Sequence, residues 1–173
     1  LAGNIGAYIT IGVQYDEEGE PTGRYVTIKH FACNNIEYER GASDSRVSER
    51  ALREIYLRPF QITVANSAPL AVMTAYNKIN GEFSATNFDL LNGILRGEWG
   101  FDGMVMTDWN NGAVPKKHMI AGNDLIMPGV HRGKILDGLK DGTLPKADAQ
   151  ACAVRILLTV LRTNYVINKR KNK

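Results

Sequence analysis

Four apolar runs in this sequence end in Lys29-His30, Tyr76-Asn77, Asp108-Trp109 and Met127-Pro128. A lysine, an imidazole, a phenol and a carboxylate beside an indole, gathered at one rim, would suit a ligand rich in hydroxyl groups. The charged groups can bond several hydroxyls, while the indole offers an apolar face to a sugar ring. Each residue also has a plainer reading. A strand-end Asp such as Asp108 can cap the helix that follows. His30 can be a satisfied structural histidine, and Arg40 and Glu37 can be surface charges or an ion pair. Lys29 is the more pointed signal, because burying an ammonium at the end of an apolar strand calls for a partner or a ligand.

Gathering these residues requires parallel strands that all end on one side, and the hydrophobic pattern predicts such a scaffold. Residues 1–14 are apolar and loosely helical, and an acidic, turn-rich loop follows. Strands are expected over RYVTIKHF (24–31), PLAVMTAY (69–76), MVMTDW (104–109) and DLIMPG (124–129). Between them, VSERALREIYLRPF reads as a helix with Val47, Ala51, Leu52 and Ile55 at helical spacing, ended by Pro59. NKINGEFSATN reads as a Gly- and Asn-rich loop. FDLLNGILRGEW reads as a helix with Leu91, Ile94 and Leu95 on one face and Asn87 as N-cap. AVPKKHMIAG, GKILDGLKDG and KADAQACAVRILLTVLRTN supply three more helices.

Four alternations of strand and helix predict an α/β fold with helices outside parallel strands, either doubly wound or part of a (β/α)8 barrel. Complete barrels run to about 250 residues, so 173 residues with four βα units should form a partial one. The expected organisation is one domain over 1–165 and a basic polar tail over 166–173.

With 44% apolar and 23% charged residues, the composition is that of an ordinary globular domain. The formal charge of +3 is carried largely by the tail Asn168-Lys169-Arg170-Lys171-Asn172-Lys173, which has no interleaved aromatics, so no nucleic-acid partner is expected. No apolar run approaches the roughly 20 residues of a membrane span, so no membrane partner is expected. Cys33 and Cys152 lie far apart, with no CxxC and no clustered histidines, and are expected to be buried or free thiols rather than metal ligands. Nothing calls for a metal or an organic cofactor.

The segments IKHFACNNIEYER, VSERALREIYLRPF, AVMTAYNKINGEFSATNFDLLNGILRGEWGFDGMVMTDW and AGNDLIMPG closely resemble successive blocks of family 3 glycoside hydrolases, in matching order and spacing, over about residues 26–130. The resemblance implies the later part of a TIM-barrel catalytic domain of the β-glucosidase kind. The Asp of the Ser/Thr-Asp-Trp block is the nucleophile in that family, and Asp108 falls on it. The family's Lys-His pair, which binds sugar hydroxyls, corresponds to Lys29 and His30; the Arg eleven residues after that Lys to Arg40; the Tyr of AYN to Tyr76; and the Trp bordering the sugar subsite to Trp109.

A retaining glycosidase of this kind needs an ionised carboxylate and, about 5 to 5.5 Å away, a carboxylic acid to protonate the leaving oxygen. Lys29 and Arg40 near Asp108 would keep it anionic, and Tyr76 could donate to the carboxylate or the ring oxygen. The resemblance places the acid, a glutamate, on a separate α/β sandwich domain to which nothing here corresponds. Glu37, Glu49 and Glu98 are the tempting substitutes, with Glu49 and Glu98 expected away from the rim. The family's Asp and Arg that bind the sugar from earlier strands should precede Leu1.

The loop ACNNIEYER lacks the Gly-His-Gly motif of the β-N-acetylglucosaminidase branch, and Asn34-Asn35 leans toward glucosides over xylosides. Expected partners are a β-glucoside or oligosaccharide, together with the missing barrel half and acid/base domain. A start inside a helix and an end in a polar tail point to truncation at the front. A non-catalytic carbohydrate-binding remnant is the competing reading. A nucleotide-binding domain ranks below both, because no GxGxxG or P-loop follows any expected strand.

Overall fold

The structure, a computed structural model, describes residues 1–163; the basic tail expected over 166–173 lies outside the described residues. In chain order the elements are α1 (Ala2–Gln14), β1 (Thr27–Phe31), β2 (Asp44–Ser45) and α2 (Glu49–Ala51), which runs into a π-helical turn, Leu52–Tyr56. Next come α3 (Arg58–Ser67), β3 (Ala71–Thr74), β4 (Lys78–Ile79), β5 (Glu82–Phe83), a 3-10 turn (Ser84–Thr86) and a π-helix (Asp89–Glu98). The chain finishes with β6 (Met104–Met106), α4 (Pro115–Ile120), α5 (Arg132–Lys140) and α6 (Lys146–Leu161).

The class is α/β, as the alternation predicts. β1, β3 and β6 form a parallel sheet in the order β1-β3-β6, with Ile28 opposite Val72 and Val72 opposite Val105. Val72 and Val105 are fully buried, as expected where helices cover such a sheet. The fourth expected strand, DLIMPG, is reduced to a single parallel bridge between Leu125 and Met106.

Two helical expectations are corrected. Pro59 does not end a helix: the first helix breaks at Leu57, and Pro59 sits in the first turn of α3, where its missing N–H costs nothing. Ile55 is exposed rather than on the buried face. Leu57 N bonds Leu52 O, a five-residue spacing that shifts the phase on which the i, i+3, i+4 pattern depends. Leu91, Ile94 and Leu95 are buried as expected, and Asn87 Oδ1 accepts from Leu90 N at 3.0 Å. The loop after Tyr76 contains the hairpin β4–β5, turning at Asn80-Gly81, both at positive φ. Asn-Gly is the pair that such a turn favours.

The core gathers Phe31, Leu57, Val72, Leu91, Leu95 and Val105, with Phe31 edge-on to Phe60 and Trp99. Helix α1 turns small residues inward. A Cβ on Gly3 would stand 2.8 Å from Ile62 Cβ and one on Gly6 2.8 Å from Thr63 Oγ1, so the α1–α3 contact requires glycine at both. Its larger residues Ile5, Tyr8 and Ile9 face outward, as do Val154, Leu157 and Leu158 on α6. Buried Gln14 joins these layers, donating to Ser67 O and Ala68 O while its Oε1 accepts from Val26 N and Leu70 N.

Asp124 fixes the position of β6. Its side chain is fully buried between Arg96 Nη2 at 2.8 Å and Arg155 Nε at 2.7 Å. The same carboxylate accepts from Val105 N at 2.8 Å, and Val105 O accepts from Asp124 N at 2.8 Å. Arg96 also donates to Gly103 O and Gly122 O. Removing the charge strands two cations around a dry strand. Asp124→Asn should therefore lower unfolding free energy in urea by about 3 to 5 kcal/mol; a loss below about 1 kcal/mol would show that the pairing is dispensable.

Both cysteines are free and buried. Burial pushes the Cys33 thiol up to about 11 and Cys152 up to about 12, so almost no thiolate exists near neutral pH. Iodoacetamide should leave the folded chain unmodified and add to both cysteines in urea, which intact mass reads directly.

Candidate active site

Because β1, β3 and β6 run parallel, the residues that follow them emerge on one side of the sheet. β1 delivers Lys29 and His30, β3 leads into Tyr76, and β6 leads through Thr107 into Asp108 and Trp109. The structure brings His30, Tyr76, Asp108 and Trp109 together, with Arg40 against Tyr76.

Asp108 is 9% exposed. Its Oδ2 lies 3.3 Å from His30 Nε2, and its Oδ1 accepts from Trp109 N at 2.7 Å. The capping expected of a strand-end Asp is thus limited to its own neighbour, and one oxygen is turned toward His30. Tyr76 donates its hydroxyl to Trp109 O at 2.7 Å, so the Asp108-Trp109 segment is gripped from β3 as well. The Arg40 guanidinium lies 4.6 Å from the Tyr76 ring centroid and pairs with Glu37 at 2.9 Å, joining the ion-pair reading to a position at the rim. Trp109 is half exposed, its indole free to face a ligand.

The electrostatics make His30 the direct partner of Asp108. Burial lowers the His30 pKa, the Asp108 carboxylate opposes that, and the charges of Lys29 and Arg40 push it down again. The imidazole is therefore neutral near pH 7, a hydrogen-bonding group beside the carboxylate rather than a second fixed charge. Tyr76 is raised, first by burial and then by Asp108, so it keeps its proton and remains a donor. Lys29 is exposed, and among the described residues it pairs with no carboxylate. The burial that made it a pointed signal is absent, although its charge acts on His30.

The three glutamates considered as acids are occupied. Glu37 pairs with Arg40, and both Glu49 and Glu98 pair with Arg53. Glu49, Arg53 and Glu98 line a cavity of about 750 Å3 between the two π-helical segments, which none of His30, Tyr76 or Asp108 enters. Among the described residues, no group of three His, Cys, Asp or Glu side chains could hold a metal ion.

Three residues beneath the rim carry no clear signal in the sequence. Asp124 reads in the sequence as the start of a strand, its one signal being a carboxylate that opens an apolar run. Asn77, fully buried, donates to Ser45 Oγ and Lys78 O and fixes the turn after Tyr76. Thr107, also fully buried, accepts from Met127 N at 2.9 Å.

Comparison with known proteins places the chain in a family. Residues 1–159 match the glycosyl hydrolase family 3 N terminal domain. A probable beta-glucosidase K from Aspergillus fumigatus is 46% identical over 74% of this chain and 17% of its own length. A beta-glucosidase from Rhizobium radiobacter is 42% identical over 87% of this chain and 19% of its own. The structure of beta-glucosidase 3B from Thermotoga neapolitana in complex with alpha-D-glucose superimposes with a TM-score of 0.89 and 41% identity, covering 97% of this chain and 24% of that one. The chain thus spans less than a quarter of the length of these relatives. With a family match across nearly all of its described residues, this chain belongs to glycosyl hydrolase family 3.

Proposed function

We propose that this chain carries the nucleophile side of a retaining β-glucosidase site, with Asp108 as the nucleophile. The observation that carries this reading is the buried carboxylate, held by one oxygen to Trp109 N while the other meets a neutral imidazole at 3.3 Å. A fixed carboxylate at a rim with a half-exposed indole, a phenol donor and cationic groups suits attack on a sugar's anomeric carbon.

In the first step an Asp108 oxygen forms a bond to the anomeric carbon of a terminal β-D-glucosyl unit. The bond from that carbon to the leaving oxygen breaks, and that oxygen takes the electron pair and a proton from an acid. Water then attacks the anomeric carbon and gives a proton back to the now deprotonated acid; the bond from that carbon to the Asp108 oxygen breaks, and Asp108 leaves with the electron pair as carboxylate. Tyr76 steadies the Asp108-Trp109 segment during this exchange, His30 and Lys29 bind sugar hydroxyls, Arg40 orients Tyr76 and Trp109 borders the ring.

The acid is the missing piece. Glu37, Glu49 and Glu98 are committed to arginines, and the relatives are at least four times longer than the part matched. We assign the acid, and the strands that would continue a barrel beyond β1 and Leu125, to polypeptide outside these 173 residues. The outward apolar side chains of α1 and α6 support such a continuation.

The test is trapping with 2,4-dinitrophenyl 2-deoxy-2-fluoro-β-glucoside, whose leaving group needs little protonation. A mass addition on the peptide containing Asp108, lost in Asp108→Ala, is the expected result for the full-length protein. Label on the full-length protein but not on this chain would mean that the site is completed from outside. No label on the folded full-length protein would leave only sugar binding, the competing reading.

A further inference from the structure

The end of β6 is fastened from two sides. On the β3 side, Thr74 donates its hydroxyl to Met106 O at 3.3 Å and accepts from Asn123 Nδ2 at 3.2 Å. On the other side lies the segment Leu125–Met127, which continues the sheet for one bridge only. Thr107 N donates to Leu125 O at 2.9 Å, as in an ordinary parallel ladder. The next donor, Met127 N, meets the Thr107 hydroxyl at 2.9 Å instead of a main-chain carbonyl. Asn110 N then returns to Met127 O at 3.3 Å. The ladder therefore continues past the point where the main chain leaves it, with one side chain standing in for the missing carbonyl. Asp108 lies inside that closed clip.

We infer that Thr107 is a positioning residue whose hydroxyl sets where β6 departs from the sheet and so aims the Asp108 carboxylate at His30. The inference rests on the reading of Asp108 as nucleophile for its consequence, but its geometry stands on this chain alone. Thr107 is fully buried, so the packing around it confines its hydroxyl to the direction of Met127 N. Without that acceptor a buried N–H is orphaned, and Leu125–Met127 must shift or stay unpaired. Either outcome loosens the clip around residues 107–110. Serine preserves the hydroxyl, whereas valine preserves the shape and removes it.

The reporter is His30 itself, 3.3 Å from Asp108. The carboxylate raises the His30 pKa against the lowering by burial, so a displaced Asp108 lets it fall. His118, buried with Nδ1 3.0 Å from Ala85 O, a carbonyl it shares with Asn123 Nδ2, makes no hydrogen bond or ion pair with Asp108 and serves as internal reference for disturbance that spreads beyond the clip. The experiment is an NMR titration of the histidines in the full chain as wild type, Thr107→Val and Thr107→Ser. The valine variant should lower the His30 midpoint by about half a pH unit, with His118 unmoved, while serine stays at the wild-type value.

Trapping of the full-length protein should slow by about a hundredfold in the valine variant and recover in the serine variant. An unchanged His30 in Thr107→Val, or an equal shift in both variants, would overturn the inference. If valine prevents folding, Thr107→Ala, which leaves room beside Met127 N, is read the same way. Absence of trapping in every form would count against the nucleophile reading alone, because the His30 titration does not depend on turnover.

Discussion

The buried carboxylate of Asp124 is the constraint around which the rest of this structure is arranged. It is the meeting point of the π-helix through Arg96, of α6 through Arg155 and of β6 through Val105 N. Two guanidiniums and an amide satisfy one desolvated anion, and that saturation makes a buried ion tolerable. Because Arg96 also holds Gly103 O and Gly122 O, the start of β6 and the approach to Leu125 are fixed together. The apolar core supplies the drive to collapse, but it is non-directional. The ion network supplies direction, setting β6 at one height in the sheet.

From that height the site follows. β6 ends at Met106, and two residues later the chain presents Asp108. β1 ends with His30 near its tip, and the loop after β3 brings Tyr76 to the Trp109 carbonyl. None of these side chains is covalently near another, and each is carried by a different strand. A small slip of β6 would separate Asp108 from His30 while leaving most of the core intact. Two kinds of support therefore meet at this strand: charge at its beginning, through Asp124, and hydroxyl groups at its end, through Thr74 and Thr107.

Much of this was legible in the sequence. The apolar runs ending in Lys29-His30, Tyr76 and Asp108-Trp109 are strand ends because parallel buried strands are continuously apolar and their polar residues fall at the tips. The faces built from Leu91, Ile94 and Leu95 were visible from spacing. Ile55 faces outward in the short π-helical turn after Ala51, whereas the longer π-helix Asp89–Glu98 keeps Leu91, Ile94 and Leu95 inward. Pro59 reads the same at the end of one helix as at the start of the next. The hairpin at Asn80-Gly81 was signalled by that pair but obscured by flanking strands of two residues each. The Asp124 partners lie 28 and 31 residues away, a separation at which sequence pattern carries no information about pairing. The burial that an apolar run implies for Lys29 is absent, since β1 stands at the edge of the described sheet.

On the proposed mechanism Asp108 is the group that attacks the sugar, and azide rescue probes that role. Asp108→Gly in the full-length protein, given 2,4-dinitrophenyl β-glucoside and sodium azide, leaves a space where the carboxylate stood. Azide should restore dinitrophenol release and give α-glucosyl azide, because the anion enters from the Asp108 side, opposite the leaving group. Formation of β-glucosyl azide, or no rescue in a folded variant whose wild type turns the substrate over, would contradict that role.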